Sequence, residues 1–399
     1  MADETVRRPR WGHRTSLFQW RQPALYLYAG LMLLTGMFTI LTQAAFQQIS
    51  PSGWVLSWFL LLVYAIPVFL LVYWLDLYER EPLSLVFGAL LWGGVAATTL
   101  AFLANTGWAI ALGNAFGPEV VAEWGAALTA PWTEEILKAL GVVLIYLIAR
   151  SEIDDVLDGF VYGAMVGLGF TLVEDVFYFM GQFGGQTEGI LLGFFVRVIA
   201  SGLYGHVLYS GLAGMGIAYF VSRRAEASLG KRLLVGAGLF LTAVFGHFLW
   251  NSPLLDFFPD LPLEGSDFLQ VIGATAVKGL PLLLFVAAMV RLAHRREHRW
   301  LEAALTGEVG REGLTRNEWE VLRAPRHRRA AVKAMRRRAG PQAGTALKRL
   351  HRQQLNLAMI RTRVTEDEDP DLGRQRAYCA ALRQALEAVP GAVVVEARP

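Results

Sequence analysis

The sequence predicts an all-α, polytopic membrane helix bundle of about eight transmembrane helices, followed by a basic cytoplasmic helical C-terminal tail. Three observations lead there. Of the 399 residues, 54% are hydrophobic, and they gather in runs of about 18 or more, the length that crosses a hydrocarbon core of roughly 30 Å. The connecting segments differ in charge: those expected on one side carry Lys and Arg, and those on the other carry none. The balance changes after the last apolar run, because residues 294–399 hold 22 Lys and Arg against 13 Asp and Glu, leaving 15 against 21 for the rest.

The elements follow in order. Residues 1–23 form a basic N-terminal arm containing Arg7, Arg8, Arg10, Arg14 and Arg21. The apolar run at 24–46 has no small-residue cleavage site behind it and reads as a retained span, not a signal peptide. Further spans are expected at 54–75, 84–112, 121–149, 158–181, 189–221, 232–255 and 268–293, which makes 24–293 the membrane bundle. The sixth is long enough to tilt or to begin as an interfacial segment. Basic groups after the sixth span (Arg223, Arg224, Lys231, Arg232) and at the end of the eighth (Arg291, Arg295, Arg296, Arg299) place both termini in the cytoplasm of a cell membrane. In the tail, 294–399, Thr315-x-x-Glu318 has the form of a capping box, and Arg323 to Arg338 is dense in arginine. Such juxtamembrane clusters fit anionic lipid headgroups better than nucleic acid. The run Glu366 to Asp369 reads as a solvated linker. Cys379 is the one cysteine, so no intrachain disulfide or cysteine metal site can form.

Ionisable groups within apolar spans are costly and should face the bundle interior. On a helix, Lys138 lies i+4 from Glu134 and i+3 from Glu135, so it can neutralise one carboxylate and leave the other to act. A structural ion pair locking two helices is the plainer alternative. Gly159, Gly163 and Gly167 repeat every fourth residue, a face for close helix approach, and the same helix continues to Glu174 and Asp175. His206 and His247 each occupy a span, and Asn251 shares a helix face with His247. At 1.5 Å per residue, Glu134, Glu174, His206 and His247 all fall roughly 20–25 Å along their spans, so they can converge. Arg197 and Lys278 have no evident partner and are expected to snorkel or line a cavity.

Taken together in order and spacing, these motifs resemble the PrsW family of intramembrane proteases, relatives of the CAAX-prenyl-protease and bacteriocin-processing superfamily. The resemblance covers Asp76 to Asn251. It rests on Asp76-Leu77-Tyr78-Glu79-Arg80-Glu81-Pro82, Glu134-Glu135-x-x-Lys138, Asp158-Gly159 through Gly163, Gly169-Phe170-x-x-x-Glu174, His206, and His247-x-x-Trp250-Asn251. It implies cleavage of a membrane-embedded or juxtamembrane part of a single-span protein, such as an anti-sigma factor. It also implies that Glu134 and Glu135 supply the activating carboxylate, Glu174 the second motif, His206 and His247 the imidazoles, and Asn251 the amide partner of His247. Asp175 departs from the asparagine usual in the family.

Two chemistries stay open. Glu174, His206 and His247 could hold Zn²⁺ and activate water, although no HExxH is present. Alternatively Glu134 or Glu135 acts as general base, with His247 and Asn251 stabilising the oxyanion. The competing classes are a proton-coupled transporter or channel, which uses the same residue types but should show an internal hydropathy repeat, and a silent scaffold for single-span proteins.

Overall fold

The computed structural model describes residues 15–76, 80–200, 205–254, 267–364 and 367–392. Arg7, Arg8, Arg10 and Arg14 of the arm, Leu77 to Glu79 of the acidic motif, nearly all of the loop at 256–267, and Glu366 lie outside the described residues. Apart from one isolated bridge between Arg311 and Leu314, every regular element described is a helix. The bundle comprises α1 (Pro23–Ile49), α2 (Pro51–Leu75), α3 (Leu83–Phe116), α4 (Pro118–Ile148), α5 (Val156–Gln182), α6 (Thr187–Phe194), α7 (His206–Ser222), α8 (Leu229–Asn251) and the start of α9 (Asp267–Thr306). Helices α1, α2 and α4 open on proline, which has no amide hydrogen to leave unpaired in a first turn.

Among the described residues, α1, α2, α3, α5, α8 and the stretch Ala276–Thr306 of α9 are long and apolar enough to cross a membrane. The two other expected spans carry Glu134, Glu135, Lys138 and His206. Helix α4 contains Glu119, Glu123, Glu134, Glu135 and Lys138. The span expected at 189–221 is two helices: α6 passes into a π-helical turn, Phe195–Ala200, and α7 starts afresh at His206. Large apolar side chains such as Leu33, Leu34 and Ile66 are exposed on the outer surface, where hydrocarbon rather than water is the fitting solvent.

Helix α5 runs through the centre, and its glycines explain how. A Cβ on Gly159, Gly163 or Gly167 would overlap the carbonyl oxygen of Gly214, Ser210 or His206 on α7. On its other side Gly169 lies against the Leu90 carbonyl of α3, where a π-helical turn at Trp92–Ala97 brings Gly93 and Gly94 onto α5. Trp92 packs on Gly141 of α4 and donates its Nε1–H to the Leu137 carbonyl at 2.9 Å. Main chains of three helices therefore meet without intervening side chains, the close approach expected of small residues in membrane interfaces.

The acidic motifs lie at the start of α5. Asp158 Oδ2 accepts from the amides of Asp154 and Asp155 at 2.8 and 2.7 Å, completing a capping box. Tyr162 donates to Glu81, and Arg223 donates to Asp155. Asp76, Glu81 and Asp158 each place one oxygen within 4.8 Å of the others.

A second compact unit begins at Leu292 and contains α10 (Arg316–Leu322), α11 (Pro325–Arg363) and α12 (Pro370–Glu387). The Thr315 box is present: Thr315 N donates to Glu318 Oε2 at 2.8 Å, and Glu318 N donates to Thr315 Oγ1 at 3.3 Å. Met335, Ala343, Leu347 and Leu350 of α11 pack with Cys379 and Leu386 of α12. Helix α11 contains no Asp or Glu, and Arg326, Arg329, Lys333, Arg336 and Arg337 are exposed on the side away from Met335. Burial pushes the Cys379 thiol up to about 12, which makes it an inert core group.

Candidate active site

Within α4, Pro131 has no amide hydrogen to give the Ala127 carbonyl, so the ladder is broken just before the polar residues begin. One turn on, Glu134, Glu135 and Lys138 all point into the bundle and are almost wholly buried, Lys138 and Glu135 at 0% exposure. The Lys138 ammonium makes three contacts: Glu135 Oε1 at 2.8 Å, Glu134 Oε2 at 3.2 Å and His206 Nδ1 at 2.8 Å. It also lies 4.1 Å from the centre of the Phe170 ring. An ammonium can only donate, so His206 Nδ1 is the lone-pair nitrogen and His206 Nε2–H donates to Glu174 Oε2 at 2.9 Å.

His247 is fixed by the same logic. Its Nδ1–H donates to Glu135 Oε1 at 3.0 Å, and its ring stacks on Tyr209 with centroids 5.0 Å apart. The bare nitrogen, Nε2, faces Glu134 Oε2 at 3.8 Å. His206 Nδ1 faces the same oxygen at 3.9 Å. Glu134 Oε2, His206 Nδ1 and His247 Nε2 thus form a triangle of acceptors within 4.8 Å of one another.

The two adjacent glutamates are not equivalent. Glu135 has both oxygens engaged, Oε1 by Lys138 and His247 and Oε2 by Ser210 Oγ at 3.3 Å. Glu134 lines a cavity of about 420 Å³, as do Glu174, His206, His247 and Asn251. Asn251 stands one turn beyond His247. The amide that touches a glutamate of the cluster belongs to Asn105 on α3, whose Nδ2 donates to Glu134 Oε1 at 3.1 Å.

Glu134, Glu135, Lys138, Glu174, His206 and His247 therefore come together from four helices. The metal-binding set read from the sequence takes Glu174 as its carboxylate; the geometry groups Glu134 with the two histidines instead and sets Glu174 on the far nitrogen of His206. Arg197, without an evident partner in the sequence and expected to snorkel or line a cavity, does line the cavity; it also holds Glu174 Oε2 at 2.8 Å and Asp175 Oδ1 at 2.5 Å and lies 3.5 Å from the Tyr178 ring centre. Lys278 donates to the Ser252 carbonyl at 2.9 Å. Sequence reasoning missed Asn105 and the role of Arg197. The signal for both was the same: a polar or charged group in an apolar run needs a partner.

The family described as PrsW family intramembrane metalloprotease matches residues 81–290. The chain is 30% identical over 183 residues to the protein named Protease PrsW of Geobacillus kaustophilus (strain HTA426), a stretch covering 46% of this chain and 67% of that protein. No solved structure matches at comparable significance. These likenesses lend no support to the transporter alternative. With its polytopic α-helical bundle and its buried glutamate–histidine cluster, the chain belongs to the PrsW family of intramembrane proteases.

Proposed function

We propose that the protein hydrolyses peptide bonds in membrane-embedded or juxtamembrane segments of single-span proteins, anti-sigma-factor-like proteins among them, and that Glu134 is the carboxylate at the centre of water activation. The observation that carries this is the asymmetry of the glutamate pair. Glu134 reaches the cavity with Oε2 opposite the bare Nε2 of His247 and the Nδ1 of His206, which accepts from Lys138, whereas Glu135 is enclosed. A water between Glu134 Oε2 and the bare Nε2 of His247 would lie within reach of a base. Glu134 takes a proton as the water oxygen attacks the carbonyl carbon, and returns it to the amide nitrogen as the C–N bond breaks. Burial among apolar helices keeps bulk water from competing.

The donor set also fits a divalent cation such as Zn²⁺. Glu134 Oε2, His206 Nδ1 and His247 Nε2 would hold it once the Lys138 ammonium is displaced from His206 Nδ1, and Glu174 and Glu135 already grip the opposite N–H of each histidine, as carboxylates do behind metal-bound imidazoles. Four carboxylates (Glu134, Glu135, Glu174, Asp175) face two cations (Lys138, Arg197), so with neutral histidines the cluster is two positive charges short. A bound zinc ion would supply an acidified water with a pKa near 7.

The test is cleavage of a tagged single-span substrate by the purified chain in lipid, with and without chelator, alongside Glu134→Gln. Full activity in that variant refutes the reading. Activity lost to chelator and restored by Zn²⁺ supports the metal form; indifference to chelator supports the glutamate form. Loop charges support cytoplasmic termini, and reporter fusions near 51 and 186 reporting from the cytoplasm would reverse that orientation. The exposed arginines of α11 suit anionic headgroups, and unchanged sedimentation of the chain's soluble tail with phosphatidylglycerol and phosphatidylcholine vesicles would argue against it.

A further inference from the structure

We propose that Asn105 is a positioning residue of the hydrolytic centre: it holds Glu134 Oε1 and so leaves Oε2 as the oxygen turned to His206 and His247. This rests on the reading of Glu134 given above. Asn105 lies on α3, which brings no ionised group to the cluster, and it is a polar residue within an apolar span. Its Nδ2 donates to Glu134 Oε1 at 3.1 Å, and its Oδ1 accepts from Thr133 Oγ1. The chemistry fixes which end is which. An ionised carboxylate only accepts, so it must face the amide NH₂, and the amide oxygen must face the hydroxyl. Thr133 belongs to α4 and directly precedes Glu134. The chain Thr133–Asn105–Glu134 therefore leaves α4, crosses to α3 and returns to α4 one residue later.

Glu135 shows why such a brace matters. It is held at both oxygens by Lys138, His247 and Ser210. Glu134 has Lys138 on Oε2 at 3.2 Å, and on Oε1 it has Asn105. Without Asn105 the carboxylate plane can turn about the Cγ–Cδ bond, so no oxygen is held in place on the side of the triangle. Precision of that kind is what separates a competent site from a loose one.

The test measures kcat and KM separately for the full chain in lipid with a tagged single-span substrate. Asn105→Ala, Asn105→Asp, Asn105→Gln and Thr133→Val are compared, with Glu134→Gln in parallel. A hydrogen bond to a charged group supports a loss of about 10- to 100-fold in kcat for Asn105→Ala, at unchanged KM. Asn105→Asp keeps the shape but turns an acceptor toward Glu134, and should fall below the alanine variant. Asn105→Gln restores the donor and should recover part of the loss. A purely packing role gives the opposite order, with the isosteric aspartate least harmful. Thr133→Val reads the same brace from its other end, by a few-fold in kcat, if the alanine variant does not fold. Wild-type kcat in both Asn105→Ala and Thr133→Val, with Glu134→Gln inactive, overturns the proposal alone. An active Glu134→Gln overturns the site reading and this proposal with it.

Discussion

Consider neutralising each glutamate of the pair in turn. In Glu134→Gln the amide oxygen can still accept from Asn105, and Lys138 keeps Glu135 at 2.8 Å and His206 at 2.8 Å. The buried ammonium loses only its longest contact, 3.2 Å, so the fold should change by about 1 kcal/mol. The base is gone, however, and cleavage should fall by about 100- to 10,000-fold. In Glu135→Gln the balance reverses. Lys138 loses the charge at its 2.8 Å ion pair while fully buried, and His247 exchanges a carboxylate for an amide oxygen. Breaking a buried pair typically costs about 3–5 kcal/mol, and the remaining contact to Glu134 should bring this nearer to 2–3 kcal/mol. Some activity should survive in molecules that stay folded, because Glu134 still faces the cavity. The assay pairs thermal unfolding in a fixed lipid with the initial cleavage rate per folded molecule. If Glu135→Gln unfolds like wild type and is inactive, while Glu134→Gln cuts, the assignment of roles is reversed and the reasoning fails.

Three further outcomes follow from the same geometry. Arg197→Met should destabilise by about 3 kcal/mol, since it strands Asp175 and leaves Glu174 with His206 alone, and adding Asp175→Asn should recover part of the loss in the same unfolding assay. Gly167→Ala puts a methyl into the His206 carbonyl and should cost about 1–3 kcal/mol together with most of the activity, whereas Gly107→Ala, where a Cβ meets open space, should be silent. In the tail, burial and then the neighbouring Arg328 guanidinium hold the His351 imidazole down at about 4 against 6.5 when unfolded. The folded form binds that proton less tightly, so stability is complete above pH 6.5 and declines toward pH 4, by on the order of 3 kcal/mol. Hydrogen exchange across α11 at pH 7 and 4.5 should show this loss, and His351→Gln should flatten it.

Most of the bundle was legible because hydrophobic length is a local signal. The glycine face of α5 was legible too, and its three glycines each meet a main-chain oxygen of α7. The histidines and glutamates were found because ionisable groups stand out in apolar runs. What stayed hidden depends on rotation and on distant pairing. Helical spacing puts Glu134 and Glu135 equally near Lys138, and only the packing of α7 and α8 decides which is enclosed. Arg197 is 22 residues from Asp175 and in another helix, so no local pattern joins them. The break before His206 lies inside the run 189–221, whose average hydropathy is that of a single span, so hydropathy alone is blind to it.

The contact between α5 and α7 is made by peptide groups, which every amino acid shares. His206 is therefore anchored by atoms that mutation does not alter, provided the glycines stay small. The lipid-facing leucines and phenylalanines are free to drift, or to be exchanged for membranes of another thickness, without displacing that imidazole. Tolerance on the outside and intolerance along one seam is the pattern of change such a molecule should permit.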